Sequence, residues 1–150
     1  MPDLVHIPAR QLAGVVETVP FADRLRLIPD IFARLDAAIG QAGFFFVGPQ
    51  TALYRIAGDE MEVRAGVPLD QPLPGFEMFE APASDALRVR HRGGFGGLPQ
   101  VYQDITAAIT DRGLARGTWA REVYLQVARA PELTVVDVSI DVADALAAPN

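Results

Sequence analysis

The sequence predicts an α+β domain built from two β-α-β-β units, with an antiparallel sheet, helices on one face and an approximate twofold axis relating the halves. Three observations predict it. The order strand, helix, strand pair occurs twice along 150 residues. Gly43 to Tyr54 and Gly113 to Tyr124 are each 11 positions apart (54 − 43 and 124 − 113), with Gly48 and Gly117 near matching places. A chain of this length is about one domain and can bury a core without disulfides. The repeats are expected at about 9–70 and about 76–143 of a single domain, 1–150.

In the first repeat, Gln11 to Val19 is rich in β-branched residues and reads as a strand ended by Pro20. Phe21 to Gln41 then places Leu25, Ile28, Phe32, Leu35 and Ile39 three or four residues apart, on one face of a helix. Pro29 implies a nearby start or a kink, and Gly43 a stop. "FFFVGPQTALYRIAG" and "EMEVRAGVPL" read as a strand pair turning at Gly58-Asp59. "VPLDQPLPGFEMFEAPAS", rich in Pro and Gly, is the expected connector. In the second repeat "DALRVRHRG" is a strand. "LPQVYQDITAAITDRG" is a helix opened by Pro99, with Leu98, Val101, Tyr102, Ile105, Ala108 and Ile109 on its inner side. "TWAREVYLQV" and "LTVVDVSIDV" form the closing pair.

One strand raises a question of chemistry. In "REVYLQV", Val123, Leu125 and Val127 alternate as a buried face turned to the helices, which places Glu122, Tyr124 and Gln126 on the opposite face. That face is either wet or a site. The first repeat carries Ala52 and Tyr54 at the matching places, so the carboxylate is present in one copy only, whereas a structural role would more naturally be symmetric.

Composition excludes several classes of function. The chain has no cysteine, so a disulfide framework, a cysteine zinc site and a thiol nucleophile are ruled out. Two histidines, His6 and His91, lie far apart, and neither metal nor organic cofactor is expected. The 13 basic residues, all arginine, face 19 acidic ones for a net charge of −6, which argues against a direct nucleic-acid partner. No apolar run approaches a membrane span and no signal-peptide layout opens the chain, so no membrane association and a cytoplasmic location are expected.

Other motifs favour plain readings. "HRGGFGG" has loop glycines but no Gly-Lys-Ser/Thr, so it reads as a turn into the second helix with Phe95 leaning over the site, not as a phosphate loop. Arg88, Arg90 and Arg92 alternate with Leu87, Val89 and His91 and form a solvent face; "GFFFVG" reads as core. His91 has no visible serine or acid partner and reads as a packed or edge histidine.

The stretch "RVRHRGGFGGLPQVYQDITAAITDRGL", followed by "REVYLQV", resembles the GyrI-like small-molecule-binding domain, also called the bacterial transcription-activator effector-binding domain. The matching residues are His91, Gly93 or Gly94 and Phe95, then Glu122 and Tyr124, with Gly48, Pro49 and Tyr54 in the first half. The resemblance implies a duplicated β-α-β-β fold with a ligand cleft between the copies. It also implies a strand glutamate that meets cationic ligands among aromatic rings in multidrug sensors. Other members stand alone, among them a gyrase-inhibiting type and hydrolases of cyclopropane-bearing natural products. This chain has no helix-turn-helix segment to spare. Its Trp119 lies three positions before Glu122, a departure that speaks against the hydrolase type.

The expected ligand-binding residues are therefore Glu122, Tyr124, Tyr54, Trp119 and Phe95, with no catalytic set. The carboxylate would supply countercharge and the rings flat apolar walls and cation–π faces. The expected partner is an amphipathic small molecule, cationic or neutral aromatic. An enzyme using Glu122 as general base, or an inhibitor acting through its acidic surface, are the alternatives. A protein partner or a homodimer stays open.

Overall fold

A computed structural model describes residues 1–44 and 47–144, with the backbone alone at residues 24, 25 and 144. The elements in chain order are β1 (Asp3–Ile7), β2 (Arg10–Pro20), α1 (Arg24–Ala42), β3 (Gln50–Ala57), β4 (Glu60–Pro68), β5 (Glu77–Ala81), β6 (Ser84–Arg92), α2 (Leu98–Asp111), β7 (Leu114–Gln126) and β8 (Val135–Asp144). This is an α+β fold, and every strand pairing described is antiparallel. The core reading of "GFFFVG" rests largely on residues 45 and 46, and that of Leu25 on its side chain; both lie outside the described residues.

The chain divides into two compact units, one of residues 9–82 and one of residues 1–8 with 83 onward. In the first, the strand order is β3-β4-β2-β5. Met61, Val63, Ala65 and Val67 alternate along β4 as a buried row, and α1 contributes Ile31, Phe32, Leu35 and Ile39 to the core. Pro29 sits inside α1, at its sixth position, where its missing N–H removes one helical bond. Gly43 closes the helix at φ 80, a left-handed conformation that glycine adopts without penalty. Gly14 of β2 stands opposite Gly66 of β4, and a Cβ on Gly14 would lie 1.9 Å from the Ala65 carbonyl oxygen, so the two backbones approach because neither carries a side chain.

The second unit has the equivalent order, β7-β8-β6-β1. Leu98, Val101, Ile105 and Ile109 form the buried stripe of α2, while Tyr102 and Ala108 are only half-buried at its margins. Two strands lie outside the sequence reading. β5 falls in the Pro- and Gly-rich stretch expected to be a connector and pairs with β2, and β1 pairs with β6, Asp3 opposite Arg88. Both are short strands whose partners supply most of the ordering, and little in five residues announces that.

Pairing also decides which way β7 faces, and here the sequence reading needs correction. Glu122 pairs with Val138 and Tyr124 with Val136, while Val89 and His91 of β6 pair with the same two valines. Paired residues share a face. That face carries α2, because the Tyr102 hydroxyl reaches Glu122 and the His91 ring lies against Gly97 at the helix start. Glu122 and Tyr124 therefore point toward the helix, not away from it. Val123 is half-buried on the other face, and Leu125 and Val127 are exposed. The physical reason is the partner strand: the buried row Val136, Val138 and Ile140 of β8 lies opposite Tyr124, Glu122 and Ala120 and fixes their side, while Val123 pairs with Asp137. Beyond it a bulge, with Tyr124 and Gln126 facing the consecutive residues Val136 and Val135, leaves Leu125 without a partner.

Candidate functional site

The far face of the second unit's sheet is committed to ion pairs. Arg121 is buried with Asp141, its Nε 3.3 Å from Oδ1, and the Ser84 hydroxyl donates to the same carboxylate at 2.7 Å. Arg90 donates to Asp137 through Nε and Nη2, at 2.8 and 3.0 Å. That contact also holds the Arg90 guanidinium above its usual pKa, first by the hydrogen bond and then by the Asp137 charge. Arg90 is thus a solvent-face arginine, as its alternation implies, but a paired one. These ion pairs matter to Glu122 because the cation next to it in sequence, Arg121, is turned to the opposite side of the sheet.

Glu122 itself is 8% exposed. Its Oε1 accepts from the Tyr124 hydroxyl at 2.7 Å and its Oε2 from the Tyr102 hydroxyl at 2.5 Å. Among the described residues it forms no ion pair. A carboxylate can accept about four hydrogen bonds, so two phenols leave acceptor capacity and the negative charge unmatched. Burial makes an unpaired charge costly. The arrangement is therefore one in which an incoming cation would be favoured.

The aromatic surroundings are partly those expected. Phe95, in the 3-10 turn Phe95–Gly97, is 48% exposed and meets Tyr124 edge to face, with ring centroids 6.1 Å apart and planes at 73°. Such pairs contribute about 0.5–1.5 kcal/mol beyond area burial. The turn is braced by His91, whose Nε2 donates to the Gly94 carbonyl at 3.0 Å. Gly97 must lack a side chain, since a Cβ there would lie 2.7 Å from the His91 ring. His91 is thus a packed histidine that positions the Phe95 turn.

Trp119 is buried, within the irregular stretch where β7 slips against β8 between Arg116 and Ala120. Tyr54 belongs to the other unit: it is half-buried on β3 and pairs with Val63, while Ala52 pairs with Ala65. Tyr124 likewise faces a valine on the following strand. The structure brings together Glu122, Tyr124 and Phe95 from the expected set and adds Tyr102. A tyrosine one position past the buried Val101, at the margin of the apolar stripe, was the available signal, because a half-buried phenol needs a partner for its hydroxyl.

Hollows open on the surface of each unit. One, of about 400 Å³, runs along α2 past Tyr102, Gln103, Thr106, Ala107 and Thr110; another, of about 460 Å³, lies in the first unit by Arg10, Gly48, Pro68 and Asp70. Among the described residues no group of three or more histidines or carboxylates is placed to hold a metal ion, and no helix is long and apolar enough to cross a membrane.

Residues 1–143 match the GyrI-like small molecule binding domain. The chain belongs to that family. Solved structures share the fold. SAV2435 bound to tetraphenylphosphonium matches with a TM-score of 0.73 at 13% identity, covering 95% of this chain and 94% of that one. The EcmrR C-terminal domain matches at 0.74 and 18%, covering 96% and 98%. A hydrolase from Listeria innocua matches at 0.62 and 13%, covering 95% and 91%. At these identities the likeness concerns the fold alone. No curated protein matches the chain in sequence. As a GyrI-like domain, the chain is a small-molecule-binding module.

Proposed function

We propose that this GyrI-like domain binds amphipathic aromatic compounds and prefers those carrying a positive charge, with Glu122 as countercharge and Tyr124 and Phe95 as the adjoining ring surface. The observation that carries the reading is a carboxylate 8% exposed, held by two phenol donors and, among the described residues, by no cation. Two charges about 4 Å apart attract by about 4 kcal/mol at an effective dielectric of 20, and a bound cation also relieves the desolvation of the carboxylate. That a protein of the same fold, SAV2435, has been solved with a lipophilic cation supports the choice of ligand class.

A thermal-shift comparison of tetraphenylphosphonium with neutral triphenylphosphine oxide tests this. Ligand at 100 times its Kd stabilises by about 2.7 kcal/mol, which for a chain of this size raises Tm by about 5–11 °C. The cation is expected to shift Tm at lower concentration than the oxide. Equal shifts, or none at millimolar cation, would sink the proposal. Mass spectrometry of an electrophilic aromatic compound after incubation serves as the control for chemistry: turnover lost in Glu122→Gln would replace the binding reading with a hydrolytic one in which Glu122 is a general base.

A further inference from the structure

Both oxygens of Glu122 are occupied, by hydroxyls from different elements. Tyr124 is two residues away on the same strand and its ring is braced by Phe95. Tyr102 reaches across from α2, is half-buried, and borders the open hollow of about 400 Å³ lined by Gln103, Thr106, Ala107 and Thr110. Of the two phenols, Tyr102 is the one that borders this hollow, which gives its ring space to turn, whereas the Tyr124 ring stands against Phe95. Acceptor capacity remains on the carboxylate, but at 8% exposure a ligand cation that approaches it needs room, and the room borders Tyr102, the donor to Oε2.

We propose that Tyr102 is a specificity-determining residue that acts by competition: in the free protein its hydroxyl occupies the place of the ligand's charge on Glu122, and a cation binds by displacing it into the hollow along α2. This rests on Glu122 being the charge-recognition group. The displaced bond is an O–H donated to a carboxylate, stronger than a neutral hydrogen bond. A compound with no interaction stronger than that phenol gains nothing by reaching Glu122 and stays on the ring surface. Tyr102 thereby sets a threshold that admits cations and turns away neutral donors.

The test is Tyr102→Phe, which keeps the ring and its packing and deletes the competing hydroxyl. Calorimetric titration with tetraphenylphosphonium should show about tenfold tighter binding than wild type, equal to about 1.4 kcal/mol. Triphenylphosphine oxide, which does not displace Tyr102, should bind as it does to wild type. Cooperative urea unfolding of the variant confirms that both titrations report on folded protein. Unchanged or weaker cation binding in Tyr102→Phe, with wild type still preferring the cation and Glu122→Gln abolishing that preference, overturns the competition and leaves charge recognition intact; Tyr102 would then hold the carboxylate in place. If wild type shows no preference and Glu122→Gln changes nothing, charge recognition fails and the competition falls with it.

Discussion

Replacing Glu122 by glutamine should move ligand-free stability and cation affinity in opposite directions. The substitution keeps shape but removes the charge. The amide oxygen can still accept from one phenol, while the amide nitrogen donates, so the tyrosine facing it must turn its hydroxyl to accept. Two charge-assisted bonds, each about 1.5–3 kcal/mol, become neutral ones of about 0.5–1.5, a loss of about 2 kcal/mol in all. Against this stands the cost of holding a carboxylate at 8% exposure with no cation beside it among the described residues, several kcal/mol for a buried ion. The second effect is at least as large as the first. Ligand-free Glu122→Gln should therefore unfold in urea at the same midpoint as wild type or a higher one. With ligand the order reverses: tetraphenylphosphonium should lose about 1–3 kcal/mol, or about 5- to 150-fold in Kd, and the neutral phosphine oxide much less. Calorimetry with both compounds and urea denaturation without ligand measure the two signs independently. Equal losses for the two compounds would show that Glu122 does not recognise charge, and a stability loss well above 2 kcal/mol would show that its charge is matched by the fold.

Further outcomes follow from the first unit. Gly14→Ala puts a Cβ 1.9 Å from the Ala65 carbonyl oxygen and 2.6 Å from the Gly66 Cα, both backbone, so β2 and β4 must part; the expected cost exceeds about 3 kcal/mol in denaturation. Gly40→Ala on α1 meets nothing within 4 Å and should stabilise by about 0.5–1 kcal/mol, and a loss there would contradict the open surroundings. Burial raises the Glu62 pKa, but hydrogen bonds from Arg64 at 2.7 Å and Arg55 at 2.6 Å outweigh it and hold the carboxyl below its ordinary 4.5. Because the folded value is the lower one, the stabilisation from Glu62 is present above pH 4.5 and fades as acid carries the pH down through the folded value. Urea midpoints of wild type and Glu62→Gln should converge on acidification, and parallel curves would refute the clamp.

Much of the architecture is a local matter and is written in the chain. The helical spacing of Phe32, Leu35 and Ile39, and of Val101, Ile105 and Ile109, marks both helices, because a 3.6-residue period buries one stripe whatever it packs on. Gly43 and the Gly58-Asp59 turn are equally local, since a positive φ favours glycine there. The duplicated order and the pairing of a glutamate with a tyrosine two residues on are likewise properties of the string. What the string leaves open is which distant segment each strand meets. β1 pairs with β6, 85 residues away (88 − 3), and five residues carry no mark of that partner.

The site divides along the same line. Sequence alone determined that residues 122 and 124 share a face and that a carboxylate without a counterpart in the first repeat stands there. Only the tertiary structure decided which face. The apolar alternation of Val123, Leu125 and Val127 points one way, and the pairing of Glu122 and Tyr124 with the buried Val138 and Val136 of β8, with α2 lying over Glu122, decides for the other. Tyr102 is 20 residues from Glu122, and nothing in either segment alone states that the two meet. A side chain's period is set by its own backbone, whereas its partner is set by the packing of elements brought together from across the chain; the charge at Glu122 belongs to the first, and its two phenol donors with no cation to the second.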